Sequence, residues 1–181
     1  MATIKIKWAY IEWDVGFTWA KDIVPQIQEC KLNITDLNRA VYIIRTKGNF
    51  AIDYPKLPSP TLYIGEGDFR ARISRHKTWL KELRELVGEF PFEIAIAIPR
   101  AKNNVFMYKE MEADLLHEFK SIYGVTPLLN KQLEYHNKEH TYLPYKEFIR
   151  PLQIGRGKRI AWGLRPLPSN RQYDNYWKTA E

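Results

Sequence analysis

Apolar positions fall in short blocks along this chain, and the change of period from block to block predicts its elements. Residues 4–13 mix Ile4, Ile6, Trp8 and Trp13 with Lys5, Lys7 and Glu12, the bulky and aromatic content of a strand. Residues 19–29 predict a short helix that contains Pro25. Two β-rich runs follow, at 40–44 and 61–64, and the stretch between them, with Gly48, Pro55, Pro58 and Pro60, reads as a polar loop joining paired strands. Asp68 is a suitable N-cap for a helix over 69–87, whose apolar stripe is Ile73, Leu80, Leu83 and Val87. Phe92, Ile94, Ile96 and Ile98 alternate with smaller or polar residues as a third strand, closed by Pro99. A second helix over 105–123 stops at Gly124, with Pro127 beyond it. Past Asn130 the periodicity fades, although 148–154 and 159–164 predict short strands in a basic region.

The middle of the chain is therefore ββαβα, an α+β arrangement. No repeat or linker divides it, so one domain is expected over 1–181: a strand and helix elaboration at 1–38, a core at 39–131 and a basic extension at 132–181. With 45% hydrophobic and 14% aromatic residues among 181, a disordered tail protein is excluded. Apolar runs such as 94–98 reach five residues, far below the roughly 18 that a membrane span needs. The N-terminal residues lack the apolar block of a secretory signal, and a cytoplasmic protein is expected. Cys30, the single cysteine, permits neither an internal disulfide nor a thiolate zinc site, so any metal must use oxygen or imidazole ligands.

A net charge of +7 points loosely to a polyanionic partner, and its placement is more informative. Residues 144–172 hold seven basic side chains (Lys146, Arg150, Arg156, Lys158, Arg159, Arg165, Arg171) against Glu147 alone. Residues 69–87 hold six, including Arg70, Arg72, Arg75 and Lys77, against two acids. Aromatic side chains interleave the first patch, as in surfaces that combine phosphate contacts with base stacking.

Candidate chemistry lies in the middle. Tyr42 and Tyr63 sit on adjacent strands, while Arg72 and His76, four apart, share one helix face with Trp79 a turn further. Glu112 falls in register with Leu115, Leu116, Phe119 and Tyr123, and an inward carboxylate is costly unless paired or metal-bound. His136 and His140 have the spacing of a metal pair if helical, but no third ligand is evident, and a solvated segment is expected there.

In order, Val41-Tyr42-Ile43, Tyr63-Ile64-Gly65, Arg72 with His76, a helical Glu112, and Gly124-x-x-Pro127-x-x-Asn130 make the chain resemble the GIY-YIG nuclease family over about residues 40–130. Valine stands in place of the first glycine, the segment 44–62 is longer than the family's usual spacing, Arg70 competes with Arg72, and Glu118 competes with Glu112. The resemblance implies a small three-stranded antiparallel sheet flanked by helices, and hydrolysis of DNA phosphodiesters with Mg²⁺ or Mn²⁺ held by Glu112. Arg72 would neutralise charge on phosphorus, and Tyr42 would take the proton of the attacking water, which requires positive charge from metal, Arg72, His76 or Lys47. Tyr63 and His76 would position water or phosphate, and Asn130 would orient the phosphate. Arg70, Arg75, Lys77, Lys146, Arg150, Arg156, Lys158, Arg159 and Arg165 would contact the DNA backbone. A stand-alone restriction or phage-type enzyme is expected, with double-stranded DNA as partner and a homodimer to serve symmetric sites. The competing readings are a DNA-binding protein of the same fold without turnover, and a nuclease for branched DNA or RNA.

Overall fold

The N-terminal apolar run divides into two strands because its halves join different sheets. In the computed structural model, which describes residues 2–48, 50–87, 91–155, 160 and 162–165, β1 (Ala2–Lys5) pairs in parallel with His140–Leu143, whereas β2 (Ala9–Trp13) pairs antiparallel with Phe92–Ala97. A π-helical turn, Trp19–Ile23, capped by the Thr18 side chain, leads into α1 (Val24–Glu29). Pro25 lies in the first turn of α1, where its missing N–H costs little.

The next strand, β3 (Ala40–Thr46), is buried along its whole length. Between it and β6 (Thr61–Gly67) the chain forms β4 (Phe50–Asp53) and β5 (Pro58–Ser59). The expected polar loop is thus a small core-bearing sheet. Phe50, Ala51, Ile52 and Tyr54 are buried, and the Tyr54 hydroxyl donates to Thr61 O at 2.6 Å while accepting from Leu128 N at 3.0 Å. The prolines mark its turns, but the apolar run between them is too short to stand out as a strand.

Then come α2 (Phe69–Val87), β7 (Phe92–Ala97) and α3 (Met107–Tyr123). Both expected helix ends are present: Ala71 N donates to Asp68 Oδ1 at 3.1 Å, and Gly124 takes the left-handed conformation at φ 95°. The main sheet has order β2-β7-β3-β6 and is antiparallel throughout, so β2 makes it four-stranded rather than three-stranded. Beyond α3, β8 (His140–Leu143) receives β1, and α4 (Tyr145–Ile149) follows. The last described strand, β9 (Trp162–Leu164), runs parallel to β4.

Residues 148–154 do not form the expected strand. They complete α4 and turn as a 3₁₀ segment, Arg150–Leu152, because side chains from the core claim the carbonyls a strand would use. Arg45 donates to Pro151 O at 2.8 Å and to Gln153 O at 3.0 Å, while Ser59 and Tyr123 both donate to Leu152 O at 2.7 Å. Arg45 also meets Glu93 at 3.1 Å. One hydrophobic cluster runs from Ile4 through the main sheet to Leu152. No helix of the described residues is long and apolar enough to cross a membrane.

Candidate active-site cleft

On the central strand β3, Tyr42 stands opposite Gly65 of β6. A Cβ on Gly65 would lie 2.5 Å from Tyr63 Cε1 and 2.8 Å from the Tyr42 hydroxyl, so glycine is what lets both phenols lie across this edge. Behind them, the Trp79 indole N–H donates to His76 Nδ1 at 2.9 Å, and His76 Nε2 is 2.9 Å from the Tyr42 hydroxyl. An indole can only donate, so the neutral imidazole carries its proton on Nε2 and gives it to Tyr42. The Tyr63 ring packs beside this chain of hydrogen bonds, its centroid 6.0 Å from that of Tyr42 and 4.6 Å from that of His76. Three side chains are thus hydrogen-bonded in a row, with Tyr63 packed against its end, and the four come from three elements.

The electrostatics of that row are set by burial. His76 is pushed down to about 4, by desolvation first and then by Arg72 and Arg75, so it stays neutral. Burial drives the Tyr42 phenol far above its ordinary range, and Tyr63 adds to this, while Arg72 opposes it only in part. Tyr63 is raised in the same sense, by burial and then by Glu112. Of the side chains expected to favour a Tyr42 phenolate, His76 is uncharged and Lys47 is taken by the Glu12 carboxylate, which leaves Arg72.

In front of the row lies a cleft of about 610 Å³, lined by Tyr63, Glu66, Arg72, Lys109, Glu112, Asn130 and Glu134 among others. Arg72 reaches Glu66 at 3.7 Å with its side chain 40% exposed, a loose pairing that leaves guanidinium donors for a ligand. Glu112 is 9% exposed, and its carboxyl is pushed up to about 8, by desolvation first and then by Glu66 and Glu134, against partial relief from Arg72 and Lys109. A buried carboxylate among other carboxylates suits a hard divalent cation, which reverses the sign of that local field. Glu112, with Glu66 beside it, therefore fits magnesium or manganese.

Several expected residues stand elsewhere. Tyr42 has no exposed surface and does not line the cleft; its neighbour Tyr63 does. A strand paired on both edges and covered on both faces buries every side chain, which sequence period alone does not reveal. Asn130 lines the cleft but spends its amide on the backbone of β6, accepting from Ile64 N at 2.9 Å and donating to Ile64 O at 2.8 Å. It extends the edge of the sheet instead of turning toward a phosphate. Glu118 accepts from the Tyr145 hydroxyl and lines a different hollow, so of the two glutamates Glu112 is the one at the cleft.

Arg70 stacks over Trp19 with its guanidinium carbon 5.4 Å from the ring centroid, which leaves Arg72 as the arginine at the cleft. Lys77 is held by the Phe17 carbonyl, and Arg150 pairs with Glu147 at 3.2 Å. Arg75 and Lys146 are exposed, and Arg165 lies 4.0 Å from Asp53. Arg156, Lys158, Arg159 and Arg171 lie outside the described residues.

Glu66, Lys109 and Glu134 belong to the cleft without having been singled out in the sequence. Glu66 carried a signal, because it directly follows Tyr63-Ile64-Gly65 at a strand end, and Lys109 lies one helical turn before Glu112. Glu134 carried none. No family model matches the chain, and neither a curated protein nor a solved structure matches it.

Proposed function

We propose that this chain is a metal-dependent endonuclease that hydrolyses phosphodiester bonds of double-stranded DNA, with β3, β6, α2, β7 and α3 as a GIY-YIG-like core. The observation that carries the reading is the meeting of Tyr63, Arg72 and Glu112, from three separate elements, on one cleft. Glu112, assisted by Glu66, would hold magnesium or manganese. That cation would polarise the phosphate and offset its charge when bound. Arg72 would bind two phosphate oxygens with its planar guanidinium and strengthen that hold as charge builds on phosphorus.

Tyr63, the phenol that faces the cleft, would position the attacking water, and the Tyr42 and His76 rings packed behind it hold its ring in place. Tyr42 and His76 are then positioning residues, acting through Tyr63. Asn130 serves the same end by fixing the strand on which Tyr63 sits.

Supercoiled plasmid incubated with Mg²⁺ or Mn²⁺ should be nicked, and EDTA should stop it. Glu112→Ala should abolish turnover, and Arg72→Ala should lower it about 100-fold or more while DNA binding persists. Cutting that survives both substitutions sinks the proposal. A panel of duplex, junction, single-strand and RNA substrates decides whether duplex DNA is the preferred target.

A further inference from the structure

A second cluster of ligating groups lies beside the Glu112 site, and one of its members, His136, lines the same cleft. His136 and His140 are not helical, contrary to the condition set for them by spacing, and although most of 131–139 is exposed as expected, both histidine side chains turn inward. Their rings are 5.4 Å apart, and Asp114, reaching from α3, supplies the third ligand that the local sequence lacked. One donor atom from each of the three lies within 4.8 Å of the others. The His140 side chain is only 2% exposed.

The hydrogen bonds around the cluster fit a cation. His140 Nε2 is 2.8 Å from Glu110 Oε2, and its Nδ1 is buried with no hydrogen-bond partner among the described residues. A carboxylate can only accept, so the neutral ring keeps its proton on Nε2 and leaves a bare lone pair on Nδ1. A carboxylate holding one imidazole nitrogen while the other binds metal is the recurrent outer-shell arrangement of histidine sites. Glu110 is itself held at 2.7 Å by Lys138. At His136, Nε2 is 2.8 Å from Asp114 Oδ1, while Lys138 N donates to Nδ1 at 3.2 Å. Coordination through Nε2 moves the ring proton to Nδ1, so that long contact from Lys138 must open on loading.

We infer that Asp114, His136 and His140 bind a borderline divalent transition cation, zinc foremost, at a site separate from Glu112. Two imidazoles and one carboxylate select zinc or cobalt over magnesium, which prefers oxygen ligands and retains its waters. The site pins the segment 131–139 to α3. That segment supplies Lys131, Gln132, Glu134, Tyr135 and the ligand His136 itself to the wall of the cleft, so the cation would shape its rim. The inference stands whether or not the chain is a nuclease.

The test uses the full chain carrying Glu112→Gln, stripped with EDTA, so that the cleft site does not contribute. Titration with Co²⁺ should give visible d–d absorption that saturates at one equivalent. Stoichiometric Zn²⁺ should erase it, and millimolar Mg²⁺ should not. His136→Gln with His140→Gln should lose the band, with folding checked by circular dichroism, and Glu110→Gln should weaken cobalt binding about 10- to 100-fold. Absence of the band in the folded Glu112→Gln protein, or its persistence in the double histidine variant, overturns the assignment.

Discussion

Opposite Tyr42 the chain has no room for a side chain, and this makes Gly65 sensitive to any substitution. Gly65→Ala should cost roughly 1–3 kcal/mol, the range for forcing an extra methyl into packed surroundings, and should displace both phenols. Chemical denaturation gives the first quantity, and loss of plasmid nicking out of proportion to the stability change reports the second. His76 makes a prediction about acid. Its folded value of about 4 lies below the ordinary 6.5, so between these values the unfolded chain binds more protons than the folded one. The stability this confers is complete above about pH 6.5 and is lost as pH falls toward 4. NMR titration should find the His76 ring unprotonated at pH 5, and a ring that titrates near 6.5 contradicts the desolvated row.

Arg45 plays the corresponding part among elements, since it joins β3 to β7 through Glu93 and to the turn after α4 through two carbonyls. Arg45→Met should destabilise the fold by about 3–5 kcal/mol, because it strands a mostly buried carboxylate and removes the guanidinium donors from the carbonyls of Pro151 and Gln153. Urea unfolding measures this, and a loss under about 1 kcal/mol would mean that the clasp is dispensable. Such links also decide how far the elements were legible in the sequence. The cap at Asp68, the stop at Gly124 and the alternation of β7 are local signals, and each predicted its element. The inward register of Glu112 was legible for the same reason. What escaped depends on distant partners: β2 as a fourth strand, β4 inside an apparent loop, and the 3₁₀ turn whose carbonyls belong to Arg45, Ser59 and Tyr123. Asp114 is remote from His136 in the chain, so no spacing rule links it to the histidine pair.

For the whole molecule, the surplus of positive charge is expected to govern grip on DNA separately from cleavage. Arg72 stands at the cleft, whereas Lys146 and Arg150 lie on or just after α4 and Arg156, Lys158 and Arg159 follow in sequence. Replacing Arg156, Lys158 and Arg159 with Gln should lower the slope of log affinity against log salt by about 0.9 for each phosphate contact removed. Fluorescence anisotropy at several salt concentrations measures it, and an unchanged slope places the DNA elsewhere on the surface. The turn at 150–153, fastened from the core by side-chain hydrogen bonds, also sets where the protein can be shortened. A fragment limited to 39–131 keeps every motif residue but loses β2, the carbonyl partners of Arg45 and the segment after Lys131 that walls the cleft. The smallest autonomous piece therefore runs from β1 at least through Gln153, and the stretch that carries the signature is not by itself a unit that can be grafted onto another protein.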